Sequence, residues 1–136
     1  MKSYDISTLE NVLRGIIRDA NVSTTVYLNR PKATVGAKDE FVVVDVNGSL
    51  EDKNVYGRGT VYVYFFARDV QEEKNWKKLS LMYERFIAAM PLRSGRYIFD
   101  ENPTLIGDVP DDYGFHARVL RMKVSVFHPD ADINNN

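Results

Sequence analysis

The sequence predicts an α+β fold, in which two amphipathic helices pack on a mainly antiparallel, twisted sheet. Two stretches carry apolar residues at helical spacing, and several runs rich in strand-forming residues lie between and after them. Short polar links join these runs, which favours antiparallel pairing. A chain of 136 residues can bury one core of its own. We therefore expect a single domain over residues 1–128 and a disordered polar tail over residues 129–136.

The first helix is predicted from the spacing of its apolar residues. One helical face carries Leu9, Val12, Leu13, Ile16 and Ile17. Ser7 and Glu10 have the spacing of a capping box, and Asn21 is predicted to end the helix. Gly15 lowers the helix propensity, and we expect it to allow close packing at that point.

A second helix is predicted from about residue 72 to residue 90, where Pro91 prevents a clean continuation. Its apolar stripe consists of Trp76, Leu79, Tyr83, Phe86, Ile87 and Met90. Packing both helices on the sheet gives a predicted core. The predicted core residues are Leu9, Val12, Leu13, Ile16, Val61, Val63, Phe65, Trp76, Leu79, Tyr83, Phe86, Leu120, Met122 and Val124.

The strands are predicted from runs of β-branched and aromatic residues. They cover residues 24–28, 41–46, 60–67, 96–99 and the alternating stretch 119–126. Asn47-Gly48 is a strong turn signal that should end the second run. Two polar loops are expected, over residues 30–40 and 48–57, together with a Pro- and Asp-rich excursion over residues 100–112.

Composition excludes several functional classes. Lys and Arg number 18 against 19 Asp and Glu, so no general electrostatic attraction draws the chain to DNA or to an anionic membrane. The sequence has no cysteine, which excludes disulfides, thiolate chemistry and Cys-based metal sites. No export signal or membrane-spanning stretch is recognisable. We expect a protein that neither enters a membrane nor binds nucleic acid specifically.

The two histidines and an acidic cluster are the first candidates for chemistry. His116 lies in or beside the last predicted strand, and His128 precedes a proline at its end. Asp108, Asp111 and Asp112 could hold a cation or act as an acid–base pair, but they also suit a solvated turn. A site needs positioned partners as well as the right residue types. We therefore interpret both features as structural.

Two further motifs also favour a structural interpretation. Gly57 and Gly59 flank Arg58, but they open a strand and lack the lysine of a phosphate-binding loop. The lysines of the second helix are accompanied by glutamates, as on a solvated helix face; these lysines are Lys74, Lys77 and Lys78. The sequence thus predicts no catalytic, metal or cofactor site, no required cofactor and no enzymatic activity.

An aromatic strand face is the most informative feature. Tyr62, Tyr64 and Phe66 alternate with apolar residues that already supply a core layer. These aromatic side chains belong either to a second buried layer or to a surface between subunits, where Tyr and Phe are enriched. Together with Arg121 and Lys123 on the last strand, they are our candidate subunit interface.

The order of the elements resembles that of the tail-terminator, or tail-completion, proteins of long-tailed bacteriophages and prophages. The resemblance spans residues 6–127. After the first helix come the Val-Tyr strand at 26–27, the Pro-containing loop from 30–31 and the Phe-Val-Val-Val strand at 41–44. The Gly-Thr-Val-Tyr-Val-Tyr-Phe-Phe strand at 59–66 and the second helix follow. The closing strand begins with His-Ala-Arg-Val-Leu at 116–120. The excursion over residues 100–112 is longer than the family pattern.

The resemblance implies a structural role in head–tail joining. Such proteins form a homo-oligomeric ring, commonly a hexamer, that caps the finished tail tube and offers a docking surface to the head connector. They need no cofactor, and the lumen of the ring lets DNA pass. The implied location is the bacterial cytoplasm during assembly, and then the virion tail or a prophage-derived particle.

Two alternatives remain open from the sequence. One is a small-ligand-binding or enzymatic α+β domain that uses the aromatic sheet face under the helices as a pocket. The other is a component of a different contractile or secretion assembly, which would use the same kind of interface with other partners.

Overall fold

The computed structural model describes residues 6–29, 33–34, 36–53, 56–95, 97–100 and 102–127, and for residues 6–8, 47–53, 56–57 and 93–94 it describes the backbone alone. The tail predicted over residues 129–136 lies outside these ranges. Within them two helices and seven strands confirm the α+β class. In chain order they are α1 (Ile6–Asp19), β1 (Val26–Leu28), β2 (Glu40–Lys53), β3 (Tyr56–Arg68), α2 (Trp76–Ala88), β4 (Arg93–Ser94), β5 (Tyr97–Phe99), β6 (Thr104–Asp111) and β7 (Phe115–Phe127).

The strands form one mixed, mostly antiparallel sheet. Its order is β1-β2-β3-β7-β5-β4, and β6 also pairs with β7. β1 runs parallel to β2, and the other pairs are antiparallel. Because β3 pairs with the full length of β7, β6 and β5 share the other edge of that strand. The long strands β3 and β7 therefore form the centre of the sheet.

Both helices pack on the same face of this sheet. Leu13 of α1 and Phe86 of α2 are fully buried in one cluster with strand residues such as Phe65. The Phe86 ring meets the Phe65 ring edge-on, with 5.5 Å between centroids. Neither helix is long and apolar enough, over its described residues, to cross a membrane. The main core thus lies between the helices and one face of the sheet, as predicted.

The predicted end of α1 is confirmed, whereas its start and its glycine differ from expectation. Asn21 has a left-handed backbone (φ 59°), and its amide donates to the Arg18 carbonyl, which closes a Schellman-type end. Ser7 lies inside the first turn, because the helix already begins at Ile6, so Ser7 is not the cap. Gly15 faces open space, with no atom within 4 Å of the point that a Cβ would occupy, so the expected close packing is absent there.

Helix α2 begins later than expected. The side chain of Asn75 caps it by accepting a hydrogen bond from the Lys78 amide at 3.2 Å. The preceding residues form a tight turn instead of a helical one, closed by reciprocal hydrogen bonds between Val70 and Glu73. Trp76 is consequently the first helical residue and is 59% exposed, so its assignment to the core is wrong. The buried stripe begins only at Leu79.

The rest of the predicted core is buried or half-buried. Val12, Ile16 and Tyr83 are half-buried at the margin of the main cluster. The remaining predicted residues are buried: Leu9, Leu13, Val61, Val63, Phe65, Leu79, Phe86, Leu120, Met122 and Val124.

Two strands extend where loops were predicted. β2 continues past Asn47 to Lys53, with a register irregularity between Asn47 and Glu51, and residues 51–53 pair with residues 56–58 of β3. The excursion over residues 100–112 contains β6, which pairs with β7 around an irregularity between Leu105 and Gly107. In both places hydrogen bonding to an existing long strand overrides the local turn signal.

A candidate interaction face of the sheet

The face of the sheet away from the helices carries the predicted interface residues. On β3 these are Tyr62, Tyr64 and Phe66, and the residue opposite Tyr62 on β7 is Arg121. Lys123 lies one pair further along, opposite Thr60, and its Nζ donates to the Thr60 hydroxyl at 2.9 Å. Cross-strand pairing therefore brings all five candidates onto one side of the two central strands.

One half of this face is covered. The Phe66 ring stacks on Phe41 with centroids 4.6 Å apart, and Phe115 approaches Phe41 edge-on at 5.6 Å. Ala33 belongs to the same buried cluster, and its amide is held by the Asp111 carboxylate at 2.7 Å. Phe66 is only 1% exposed, so it belongs to a second core and cannot contact a partner directly.

The other half is open and polar at its rim. We call it the open face and define it by Asp45, Tyr62, Tyr64, Arg121 and Lys123. The two tyrosines are half-buried, with centroids 6.5 Å apart, whereas Arg121 and Lys123 are exposed. Among the described residues no ion pair joins either of these cations to a carboxylate.

Tyr64 of the open face stays protonated, chiefly because it is partly buried. Burial raises the pKa of Tyr64, and the charge of Asp45 and the neighbouring Tyr62 raise it further. A protonated phenol presents an apolar ring together with a hydroxyl that can donate a hydrogen bond. Such side chains, beside exposed cations, are typical of protein-binding surfaces.

The histidine and aspartate candidates have structural partners. His116 Nδ1 lies 2.7 Å from Asp69 Oδ1, and this pair links β7 to the segment that follows β3. Asp108 lies in β6 and binds both Arg118 and Lys74, which lowers its pKa to about 2. No group of three potential metal ligands occurs in the part of the chain that the structure describes. His128 lies outside the described residues.

The remaining acidic and glycine candidates also lie in structural elements. Asp111, like Asp108, is a strand residue, and only Asp112 lies in the turn that was predicted for all three. Gly57 and Gly59 lie within β3 rather than opening it. Their backbone is therefore engaged in the strand ladder and cannot form a phosphate cradle.

Two of the three lysines form ion pairs, with carboxylates of β6 and β2 rather than with the neighbouring glutamates, and Lys74 precedes α2. Lys74 binds Asp108 at 3.0 Å, and Lys78 binds Glu40 at 2.8 Å. Lys77 lies over the Trp76 ring, 5.8 Å from its centroid.

A groove of about 530 Å³ lies beside these pairs, between the start of β2 and the start of α2. Four of its charged residues form two ion pairs, since Arg68 binds Asp39 at 2.8 Å and Lys78 binds Glu40. The pocket considered in the sequence analysis would lie elsewhere, under the helices. The aromatic face is on the opposite side of the sheet, so that geometry is not formed.

The structure has a second exposed surface that was not predicted from the sequence. We call it the turn end and define it by Val70, Glu72, Glu73, Trp76, Asp112 and Tyr113. Its three apolar residues are each more than half exposed, namely Val70 at 54%, Trp76 at 59% and Tyr113 at 56%. Gln71 and Glu72 both have positive φ, and neither is a residue type that signals such a turn.

Comparison with known proteins addresses the fold alone. No protein-family model and no curated protein matches the sequence. Several solved structures share the fold, and one of them has a TM-score of 0.56 and 14% sequence identity. The alignment covers 88% of this chain and 97% of that one. The architecture thus recurs as a whole in a distant protein, consistent with one folding unit.

Proposed function

We propose that this protein is a tail terminator, a subunit of the ring that caps the tail tube of a phage or prophage particle and takes part in head–tail joining. The observation that carries the proposal is the open face. One side of the sheet is sealed by both helices, whereas half of the other side leaves two tyrosines and two cations, Arg121 and Lys123, available to a partner.

The chemistry of this face favours a protein partner over a small molecule. Tyr62 and Tyr64 lie two residues apart on the same face of β3, and Arg121 is directly opposite Tyr62. Pockets for small molecules are concave and bury most of the surface of their ligand. An aromatic strand face with a charged rim instead suits a broad protein contact.

The order of the elements along the chain supports the same proposal. The helix, the long hairpin β2–β3, the second helix and the closing strand β7 follow the order of the tail-terminator family. In this proposal the β2–β3 hairpin and the segment before β2 dock to the tail tube or the head connector, because loops on a rigid sheet often carry binding. The ring forms in the bacterial cytoplasm and remains in the virion tail.

Deletion and complementation in the phage or prophage that encodes the protein test the proposal. Deletion should give tails of uncontrolled length, or tails that fail to join heads, in electron micrographs. The wild-type gene should restore joined particles, whereas Tyr64→Asp and Lys123→Glu should restore few. Glu84→Lys is the matched control, since Glu84 is exposed on α2 away from the open face. Normal particles in the deletion strain would refute the proposal.

A further inference from the structure

We infer that the open face of one copy binds the turn end of a second copy. This inference rests on the proposed function and specifies which two surfaces of the ring subunit meet. A ring requires two different, complementary surfaces on each subunit, because identical patches would close a dimer and stop.

The charges of the two surfaces are complementary. The open face carries Arg121 and Lys123, which no carboxylate among the described residues pairs with, against the single acid Asp45. Arg58 lies on the same side of the sheet, and its carboxylate partner is Asp100 at 3.8 Å. Among the described residues, two cations of the open face are therefore left without an ion pair.

The turn end has unpaired negative charge. Glu72, Glu73 and Asp112 are exposed, and the described part of the chain supplies an ion-pair partner to none of them. Two nearby cations are already paired, Lys74 with Asp108 and Arg68 with Asp39, and a third, Lys77, lies over the Trp76 ring. Unpaired carboxylates facing unpaired cations would favour the correct contact and its register.

The apolar parts of the two surfaces also match. Trp76 and Tyr113 are exposed at the turn end, and they are the residue types that dominate binding energy at interfaces. The half-buried rings of Tyr62 and Tyr64 offer an apolar surface to receive them. Contact would cover the two most exposed aromatic side chains of the described chain.

The two surfaces are too far apart to meet within one molecule. β7 begins at Phe115, beside the turn end, and reaches Lys123 eight residues later, about 26 Å along the strand at 3.3 Å per residue. Each copy can therefore offer one surface to each of two neighbours. Repetition of that contact produces a closed ring or a growing chain.

Cross-linking at introduced cysteines tests the contact, and the cysteine-free chain gives a clean background. The doubly substituted chain Lys123→Cys/Glu73→Cys, treated with a short bismaleimide, should give a ladder of trimers and larger species. Each single variant should give dimers at most. Lys123→Cys/Glu84→Cys is the control pair, because Glu84 is exposed two turns further along α2, about 12 Å from its start.

Charge reversal in the same background identifies the partner. Arg121→Glu should reduce the ladder several-fold, and adding Glu72→Lys should restore it. A ladder no longer than that of the control pair would overturn the inference, and so would complete dimerisation of Lys123→Cys alone, which indicates a face-to-face contact. If no ladder forms but the deletion strain has defective tails, this contact is refuted and the terminator function stands. If the ladder forms but the deletion strain has normal tails, the contact stands and the terminator function is refuted.

Discussion

Arg118 and Asp108 face each other across β7 and β6 in a two-pronged ion pair, with Nε–Oδ1 at 2.7 Å and Nη2–Oδ2 at 2.8 Å. Lys74 binds the same carboxylate from the segment before α2, and Arg118 also reaches the Ser80 hydroxyl at 3.3 Å. Both members of the pair are largely buried. This pair therefore ties the edge strand to the centre of the sheet and to the second helix.

Replacing Asp108 should make stability less dependent on acid pH. Its pKa falls from an ordinary value of 3.8 to about 2, chiefly through the hydrogen bonds from Arg118. A carboxyl group with a lower pKa in the folded protein than in the unfolded chain stabilises the fold at pH values above its pKa in the unfolded chain. This stability is lost as the pH falls through about 2. We expect Asp108→Asn to cost about 2 kcal/mol at pH 7. Urea unfolding of the wild-type and Asp108→Asn proteins should show that their difference in free energy of unfolding shrinks towards pH 2. A difference that stays constant with pH would contradict this account.

Phe86 and Trp76 form a matched pair of aromatic residues on α2 that differ in burial. Phe86→Ala should lower the free energy of unfolding by about 3–5 kcal/mol, because Phe86 is fully buried against Phe65. Trp76→Ala should cost less than about 1 kcal/mol, since its side chain is 59% exposed. Chemical denaturation measures both, and equal losses would place Trp76 in the core after all.

Gly15 offers a stabilising substitution. It lies exposed in the middle of α1 with space for a methyl group, so Gly15→Ala should raise the free energy of unfolding by about 1 kcal/mol. Gly114→Ala is the control, because its positive φ of 75° disfavours a side chain and should cost about 1 kcal/mol. Thermal melts should move in opposite directions for the two variants.

The turn between Val70 and Glu73 should also accept a stabilising change. Gln71 and Glu72 both have positive φ, at 53° and 67°, as in the type I′ turns that favour Asn-Gly. The double change Gln71→Asn/Glu72→Gly should raise stability by about 1 kcal/mol by relieving backbone strain. An unchanged or lower midpoint in urea would argue against this backbone conformation.

Neither histidine should be required for function. His116 bonds to Asp69, and its loss in His116→Ala should cost about 1 kcal/mol of stability. Neither His116→Ala nor His128→Ala should affect complementation of the deletion strain, with Tyr64→Asp as the variant that fails. Loss of particle assembly in a folded histidine variant would reopen the question of catalysis.

The strongest periodic signals correctly predicted the framework. Leu13 and Ile17 mark the buried stripe of α1, and the alternation through Val61, Val63 and Phe65 places one strand face on the helices. Such signals are local, since an amphipathic segment must bury its apolar side wherever it packs. The helix-ending role of Asn21 was equally readable, because its backbone conformation depends on its own side chain and its neighbours.

The sequence by itself determined the helices, the central strands and the two chemically different faces of β3. Tertiary structure alone decided which residues of those faces stay accessible. Phe66 is buried because Phe41, Phe115 and Ala33 gather over it, whereas Tyr62, four residues earlier on the same face, stays half-buried. β6 and the extension of β2 exist because long partner strands supply their hydrogen bonds. Trp76 is exposed because a turn that no sequence signal marks delays the start of α2, and exposure depends on such distant geometry.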